Sequence, residues 1–160
     1  MILSLVLALS AIAGASTASI AAPSQSLFEK LDGRWTGWGW LQVKSGDRER
    51  MRCIVSYQLR EDGSKADQEL RCASTSYIFD ATASLTNDDG IISGNWKETT
   101  FAAEGTITGR ATASFVSVHL EGVNLSAGMS ITAKGSCAQT VRIRPQNGEI
   151  TLMSISLKRC

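Results

Sequence analysis

From residue 33 onward, apolar and polar residues alternate with a period of two, and this pattern constrains the fold more than any other feature. In residues 51–59, for example, Met, Cys, Val, Tyr and Leu occupy alternate positions. The alternation is equally clear in residues 77–86 and 123–134. It recurs less regularly in residues 92–101, 106–120, 139–144 and 149–159. Because a period of two is typical of half-buried strands, the chain is predicted to be all-β.

Turn-forming residues separate the segments and indicate antiparallel hairpins, as at Asp62-Gly63 and Asn147-Gly148. Proline occurs only at positions 23 and 145, so no residue between them interrupts a strand ladder. The spacing predicts about eight or nine strands, which bury one face only by closing into a barrel or by packing as two layers. Since closure also removes exposed edges, we predict an antiparallel up-and-down β-barrel. The one helical candidate is residues 26–31, where Ser26 and Glu29 have capping-box spacing.

Composition excludes several classes of function. With 16 Lys and Arg against 15 Asp and Glu, the chain has no broad basic field, so we expect no nucleic-acid or anionic-membrane partner. A single histidine, His119, and the absence of a Cys-x-x-Cys pair favour neither a metal site nor a cofactor. No serine lies in a Gly-x-Ser-x-Gly motif, and we expect no catalytic residues and no enzymatic activity.

An apolar run at residues 2–15 indicates export. It is shorter than the roughly 20 residues needed to span a bilayer, and small residues that suit a signal peptidase follow it. We predict a signal peptide over residues 1–21, cleaved after Ala21, and a single barrel domain over residues 22–160. The mature protein is expected to be periplasmic or secreted and to contain no transmembrane segment.

Four cysteines remain in the mature chain, at Cys53, Cys72, Cys137 and Cys160. In an oxidising compartment an even number indicates disulfides. A two-residue turn at Asp62-Gly63 places the first two cysteines opposite each other. That register makes them a widely spaced, hydrogen-bonded pair, which suits a disulfide less well, so a slipped or longer turn is an open alternative. A turn at Asn147-Gly148 sets Cys137 opposite Lys158, two residues from the last cysteine. The favoured pairing is therefore first with second and third with fourth.

Aromatic residues supply most candidates for binding. Trp35 lies on the opposite strand face from Trp38 and Trp40, so one face presents indoles outward, where a polypeptide, glycan or lipid partner could cover them. Glu98 shares the face of Trp96, which is expected to be buried, and a carboxylate there needs a partner. The candidate binding residues are Trp35, Trp38, Trp40, Tyr57, Phe79, Trp96, Glu98 and Met129.

The motif Gly33-x-Trp35 after the short helix, together with Arg159 in the last strand, resembles the lipocalin and wider calycin barrels. The resemblance implies that these three residues close the barrel, with the indole across the floor and the late arginine packed over it. More narrowly, Arg52-Cys53 and Leu70-Arg71-Cys72 behind a tryptophan-led strand are similar to small exported envelope proteins of alphaproteobacteria, many without known function. Barrel-type inhibitors of bacterial proteases have a related architecture.

Two functions are compatible with these features. The first is an exported, non-enzymatic barrel that binds a hydrophobic small molecule or an envelope component through its tryptophan-rich first strand. The alternative is a protein-interaction module, such as a protease inhibitor or an envelope-integrity factor, that docks through its outer rim. A cavity above roughly 300 Å³ favours the first function. Its expected lining is Trp35, Tyr57, Phe79 and Met129. A filled core with Trp38 and Trp40 exposed favours the second.

A basic cluster at Lys44, Arg48, Arg50 and Arg52 is interrupted by two acidic residues. We interpret it as a solvated strand edge, because exposed charges on strands usually pair across strands or with water. The functional alternative is a site for an anionic headgroup, a sugar acid or an acidic partner.

Overall fold

The structure, a computed structural model, describes residues 26–160, so the predicted signal peptide over residues 1–21 lies outside the described residues. Within the described range, one short helix and ten strands follow one another. They are α1 (Leu27–Leu31), β1 (Gly33–Val43), β2 (Arg48–Arg60), β3 (Lys65–Ala73), β4 (Ile78–Asp88), β5 (Ile91–Glu98), β6 (Ala103–Ala111), β7 (Phe115–Gly122), β8 (Ser126–Lys134), β9 (Ala138–Pro145) and β10 (Ile150–Lys158). None of the helices in residues 26–160 has the length and apolar character needed to cross a bilayer.

Consecutive strands pair antiparallel, and β1 also pairs with β10, so the sheet closes on itself. The predicted all-β, up-and-down barrel is thus confirmed. In the described residues the number of strands is ten, slightly more than the eight or nine expected. Closure leaves no strand edge unpaired around the ring and directs alternate side chains into a single interior.

The extra strand arises because the segment at residues 106–120 contains both β6 and β7. The turn between them, residues 112–114, has no Gly, Pro, Asn or Asp to signal it. Thr112 makes the turn instead. Its Oγ1 accepts hydrogen bonds from the backbone N–H groups of Phe115 (3.2 Å) and Ser114 (3.5 Å), and its own N–H donates to the Phe115 carbonyl (2.8 Å). A hydroxyl-based turn of this kind carries a weaker sequence signal than a glycine turn.

The helix begins with the capping box that its sequence predicts. The N–H of Ser26 donates to Glu29 Oε2 at 2.9 Å, and the N–H of Glu29 donates to Ser26 Oγ at 3.3 Å. Its apolar residues Leu27, Phe28 and Leu31 are buried among the inward-facing side chains of the strands. The core is therefore the interior of the barrel together with the buried face of α1.

The first disulfide, Cys53–Cys72, joins directly opposed residues of β2 and β3, with the Cα atoms 4.1 Å apart. The register matches the prediction, but the turn is longer than two residues, since the last strand pair is Arg60 with Lys65 and the segment between them forms a turn of 3-10 helix. The longer turn makes the cysteines a close pair, and the spacing objection to this disulfide no longer applies.

The second disulfide, Cys137–Cys160, links the residues just beyond the ends of β9 and β10, with the Cα atoms 5.2 Å apart. The hairpin register differs by one residue from the prediction, because Lys158 pairs with Ala138 and not with Cys137. The turn at residues 146–149 accommodates the shift, and both cysteines still meet at the frayed end. Both favoured pairings are therefore present.

Because the strands run up and down, the turns fall alternately at two ends of the barrel. We call the end with α1, the turns at residues 61–64, 89–90, 112–114 and 135–137, and the C-terminus the closed end. The other end, with the turns at residues 44–47, 74–77, 99–102, 123–125 and 146–149, is the open end. The names describe what covers each end, as the next section shows.

Candidate functional site: a cavity at the open end

Trp35 and Arg159 seal the closed end. The indole of Trp35 is 1% exposed, and its Nε1 donates a hydrogen bond to the carbonyl of Leu31 at 2.7 Å. The guanidinium carbon of Arg159 lies 4.7 Å from the indole centroid, close enough for a cation–π contact. Arg159 also donates to two backbone carbonyls, from Nε to Ser136 at 2.5 Å and from Nη1 to Asp32. One side chain thus ties the last strand to the helix and to the β8–β9 turn.

Gly33 and Lys30 complete this seal. Gly33 has a φ of +99°, a conformation that favours glycine, and it lets the chain pass from α1 directly into β1. Lys30 Nζ donates to the carbonyl of Ala113 at 2.7 Å, which attaches the helix to the β6–β7 turn. A void of about 20 Å³ lies beside the helix and is lined in part by Phe28 and Tyr57. Burial raises the pKa of the Tyr57 phenol. Side chains therefore fill this end of the barrel.

A cavity of about 320 Å³ occupies the other half of the barrel. Most of its lining is apolar and includes Leu70, Ala83, Ile107, Leu120, Met129, Ile143 and Met153. The lining also includes residues of four turns at the open end, among them Tyr77, Phe101 and Glu149, so the cavity reaches solvent there. Its volume and its mostly apolar lining are typical of a small-molecule site.

Three aromatic rings form one wall of the mouth. Tyr77 and Phe79 are stacked, with centroids 6.2 Å apart and planes 8° from parallel. Phe101, from the β5–β6 turn, is tilted against Phe79 at 5.8 Å and is 57% exposed. Such offset and tilted arrangements are favourable for aromatic pairs. The rings therefore present a continuous aromatic surface to whatever enters.

Glu98, at the end of β5, holds this wall in place. Its side chain is 8% exposed and lines the cavity. Oε1 accepts the N–H of Asp80 at 2.9 Å, and Oε2 accepts the N–H of Phe101 at 2.6 Å. The partners that a buried carboxylate requires are thus backbone amides. Because a carboxylate has about four acceptor positions, it can still accept further hydrogen bonds.

Trp96 packs beside Glu98 on the same inner face. It is 7% exposed and lines the cavity, and its Nε1 has no hydrogen-bond partner among residues 26–160. Its ring fits closely over Gly122, where a Cβ would lie 2.9 Å from Cζ2. A buried N–H without a partner is uncommon in native proteins. The indole therefore contributes apolar surface to the cavity wall, while its unpartnered N–H is buried.

The other two tryptophans of the first strand lie outside the barrel. Trp38 is 50% exposed, with the guanidinium carbons of Arg50 and Arg52 at 4.2 and 5.8 Å from its ring. Trp40 has Arg48 at 4.3 Å. Part of the basic cluster thus stacks on indoles on the outer surface of β1 and β2. We call these five side chains the Trp–Arg ladder.

His119 lies on the outer surface of β7, away from the cavity. Its Nε2 is 2.8 Å from Glu121 Oε2 and 3.2 Å from Ser126 Oγ. Hydrogen bonds from His119 and Ser126 hold the pKa of Glu121 below its usual range. In a catalytic relay the serine and the acid occupy different ring nitrogens, whereas here both contact the same nitrogen. Within residues 26–160, no group of three His, Cys, Asp or Glu side chains could hold a metal ion.

The structure thus separates the eight candidate residues into three places. Phe79, Trp96, Glu98 and Met129 line the cavity. Trp35 and Tyr57 instead lie toward the closed end, which differs from the lining that the sequence predicts. Trp38 and Trp40 face outward. Sequence reasoning missed Tyr77, Phe101, Glu149 and Met153, although Tyr77 shares the alternation of Phe79 and could have been found from it.

No family model and no curated protein sequence matches this chain. Among solved structures, the S-type phycobiliprotein lyase CPES from Guillardia theta is similar, with a TM-score of 0.55 and 13% identity over 83% of this chain and 90% of the lyase. A redesigned β-barrel, mFAP1, bound to DFHBI, has a TM-score of 0.52 and 13% identity over 84% of this chain and all (100%) of the barrel. Both are small barrels, and identities this low show a shared fold alone.

Proposed function

We propose that this protein binds a small, mostly apolar molecule in the cavity at the open end, without catalysing a reaction. The observation that carries the proposal is the contrast between a sealed end and an open cavity of about 320 Å³ whose lining is largely aliphatic and aromatic. A barrel that served only as a scaffold would gain stability from filling this space. The carboxylate of Glu98, which lines the cavity, would fix the orientation of a ligand.

The fold supports the same function. Small barrels of this shape include one that holds DFHBI and one that is a phycobiliprotein lyase. The closing residues Gly33, Trp35 and Arg159 favour a lipocalin- or calycin-like barrel. The cysteine motifs favour an exported envelope protein like those of alphaproteobacteria. Since two disulfides form most readily in an oxidising compartment, we place the protein in the periplasm or outside the cell.

Phenylnaphthylamine, a neutral fluorescent probe of apolar sites, tests this proposal. We expect saturable binding with one probe per chain. Ala83→Phe places a ring in the cavity and should weaken binding by about tenfold or more, a change of ~1.4 kcal/mol. Ala73→Phe adds the same ring on the outer surface of β3 and should leave the affinity unchanged. Equal effects of the two substitutions, or no saturable binding to the wild-type protein, would overturn the proposal.

The Trp–Arg ladder supports a second candidate, a protein-interaction function. Trp38 is half exposed, and its stacked arginines form no ion pair among residues 26–160. A partner with acidic and apolar groups would fit such a surface. Cross-linking in cells, comparing the wild-type protein with a Trp38→Ser and Arg50→Ser double variant, tests it. A partner captured equally well by both would rule the ladder out as the docking surface.

A further inference from the structure

The charged groups around the cavity are all acidic. Within residues 26–160, the charged lining residues are Glu98 and Glu149, and no lysine, arginine or histidine lines the cavity. The remaining polar residues in the lining, such as Gln68 and Thr82, are neutral. The site therefore offers no cation to an anionic ligand such as a fatty acid.

The two glutamates lie on opposite sides of the mouth. Glu98 ends β5 and Glu149 directly precedes β10, and these strands lie on opposite sides of the ten-strand ring. Neither carboxylate has an ion-pair partner within 4.0 Å among the described residues. The backbone N–H of Lys44 donates to the Glu149 carbonyl, so the β1–β2 turn contacts this turn through its main chain.

The aromatic wall lies next to the more buried carboxylate. The amides that hold Glu98 belong to Phe101 and to Asp80, the residue after Phe79, so this carboxylate is attached to the backbone that carries two rings of the wall. Aromatic faces attract cations through their negative electrostatic potential, and a carboxylate adds charge of the same sign. Rings and carboxylates together recognise a positive group that has lost part of its water.

The geometry points to an organic cation as the ligand: an amine whose apolar body fills the cavity and whose charged nitrogen lies at the mouth between Glu98, Glu149 and the aromatic wall. This inference rests on the proposed function, because it assigns the class of ligand to the same cavity. An anionic ligand would bring its charge toward two carboxylates, with no lysine, arginine or histidine among the lining residues of the described chain, and the site selects against it.

Three probes that share one ring system test the charge of the ligand. Naphthylmethylamine is cationic at neutral pH, naphthylmethanol is neutral and naphthoate is anionic. In displacement of phenylnaphthylamine from the full mature protein with its disulfides formed, we expect the amine to bind at least tenfold more tightly than naphthoate, with naphthylmethanol between them. Added salt should weaken binding of the amine and leave binding of the alcohol unchanged, because ionic screening affects only the charged ligand.

Substitutions of the carboxylates locate the effect. Glu98→Gln removes the charge and also one of the two acceptors that hold the aromatic wall, so it should weaken binding of the amine several-fold more than binding of the alcohol. Glu149→Gln, at an exposed position, should also raise the Kd of the amine, but by a smaller factor. Glu104→Gln removes one charge from the outer surface of β6 and controls for the net charge of the protein.

Several outcomes overturn the assignment. Naphthoate binding as tightly as the amine, equal effects of Glu98→Gln and Glu104→Gln on the amine, or failure of all three compounds to displace the probe would each do so. In all of these cases a binding site for phenylnaphthylamine that Ala83→Phe blocks would leave the proposed function in place. No saturable binding of phenylnaphthylamine to the wild-type protein would instead overturn the proposed function itself.

Discussion

The two ends of the barrel are built from the same hairpins but differ in what covers them. At the closed end, α1 inserts three apolar side chains, and Arg159 joins the helix, the last strand and a turn over the face of Trp35. At the open end, Glu98 holds two backbone amides, and the space beneath it stays unfilled. The comparison shows how one small barrel gains its stability at one end and keeps room for a ligand at the other.

Trp35→Ala should produce the largest change, because it opens the sealed end. Truncation of a buried Trp removes burial and leaves a cavity, which destabilises a protein by about 3 to 5 kcal/mol. Trp38→Ala, on the outer surface, removes only an exposed cation–π contact and should cost less than about 1 kcal/mol. Urea unfolding of both oxidised variants measures the difference. A similar loss for the two substitutions would contradict the assignment of Trp35 to the seal.

Removal of either disulfide should cost about 2 to 4 kcal/mol in the chain-entropy model. The two loops are similar, with sequence separations of 19 and 23, so this contribution is nearly equal for both. Cys53 and Cys72 are also fully buried, whereas Cys137 and Cys160 are exposed. The Cys53→Ala/Cys72→Ala variant should therefore lose more than the Cys137→Ala/Cys160→Ala variant in thermal unfolding. The opposite order would show that the bridge at the closed end carries more of the stability.

Phe101→Ser tests the open end. Because Phe101 is mostly exposed, the substitution should change the free energy of unfolding by less than about 1 kcal/mol. It also removes one ring of the mouth, so phenylnaphthylamine should bind several-fold more weakly. Fluorescence titration beside urea unfolding separates the two effects. A large loss of stability with unchanged affinity would show that the ring supports the barrel and not the ligand.

The smallest expected effect is the contribution of the Glu49 carboxyl to stability, and this contribution depends on pH. Hydrogen bonds from Ser76 and Ser74 at the open end hold the pKa of this carboxyl below its usual range. Since the pKa is lower in the folded than in the unfolded protein, the resulting stability is complete above the unfolded pKa and is lost as the pH falls through the folded pKa. NMR titration should show a lowered pKa that Ser74→Ala, which removes the hydroxyl donor at 2.8 Å, moves back toward the usual range. An unchanged pKa in this variant would contradict the role of Ser74.

The sequence was sufficient wherever a feature depends only on the face of a strand. Alternation separated Trp35 from Trp38 and Trp40, and the structure places the first inside the barrel and the other two outside. The same alternation put Glu98 beside Trp96 on the inner face, as found. These results require no knowledge of the neighbouring strands, because side chains point to opposite faces at every second residue.

Position along the barrel axis could not be predicted in the same way. Trp35 and Tyr57 were expected to line the cavity, but they lie at the end that α1 fills. Phe101 and Glu149 lie in turns far apart in the sequence, and they come to one mouth only after the strands tilt and the sheet closes. The stagger between strands sets which side chains share a layer, and no local pattern encodes that stagger.

The methyl groups of three methionines give the most direct test of binding in the open half. Met129 and Met153 line the cavity, whereas Met51 is buried on the inner face without lining it. With isotope-labelled methionine methyls, NMR titration with phenylnaphthylamine should shift the signals of Met129 and Met153 in a saturable manner and leave Met51 unchanged. Saturable binding that moves neither cavity methionine, or that moves Met51 as far as the other two, would contradict an open end that leads to the ligand site.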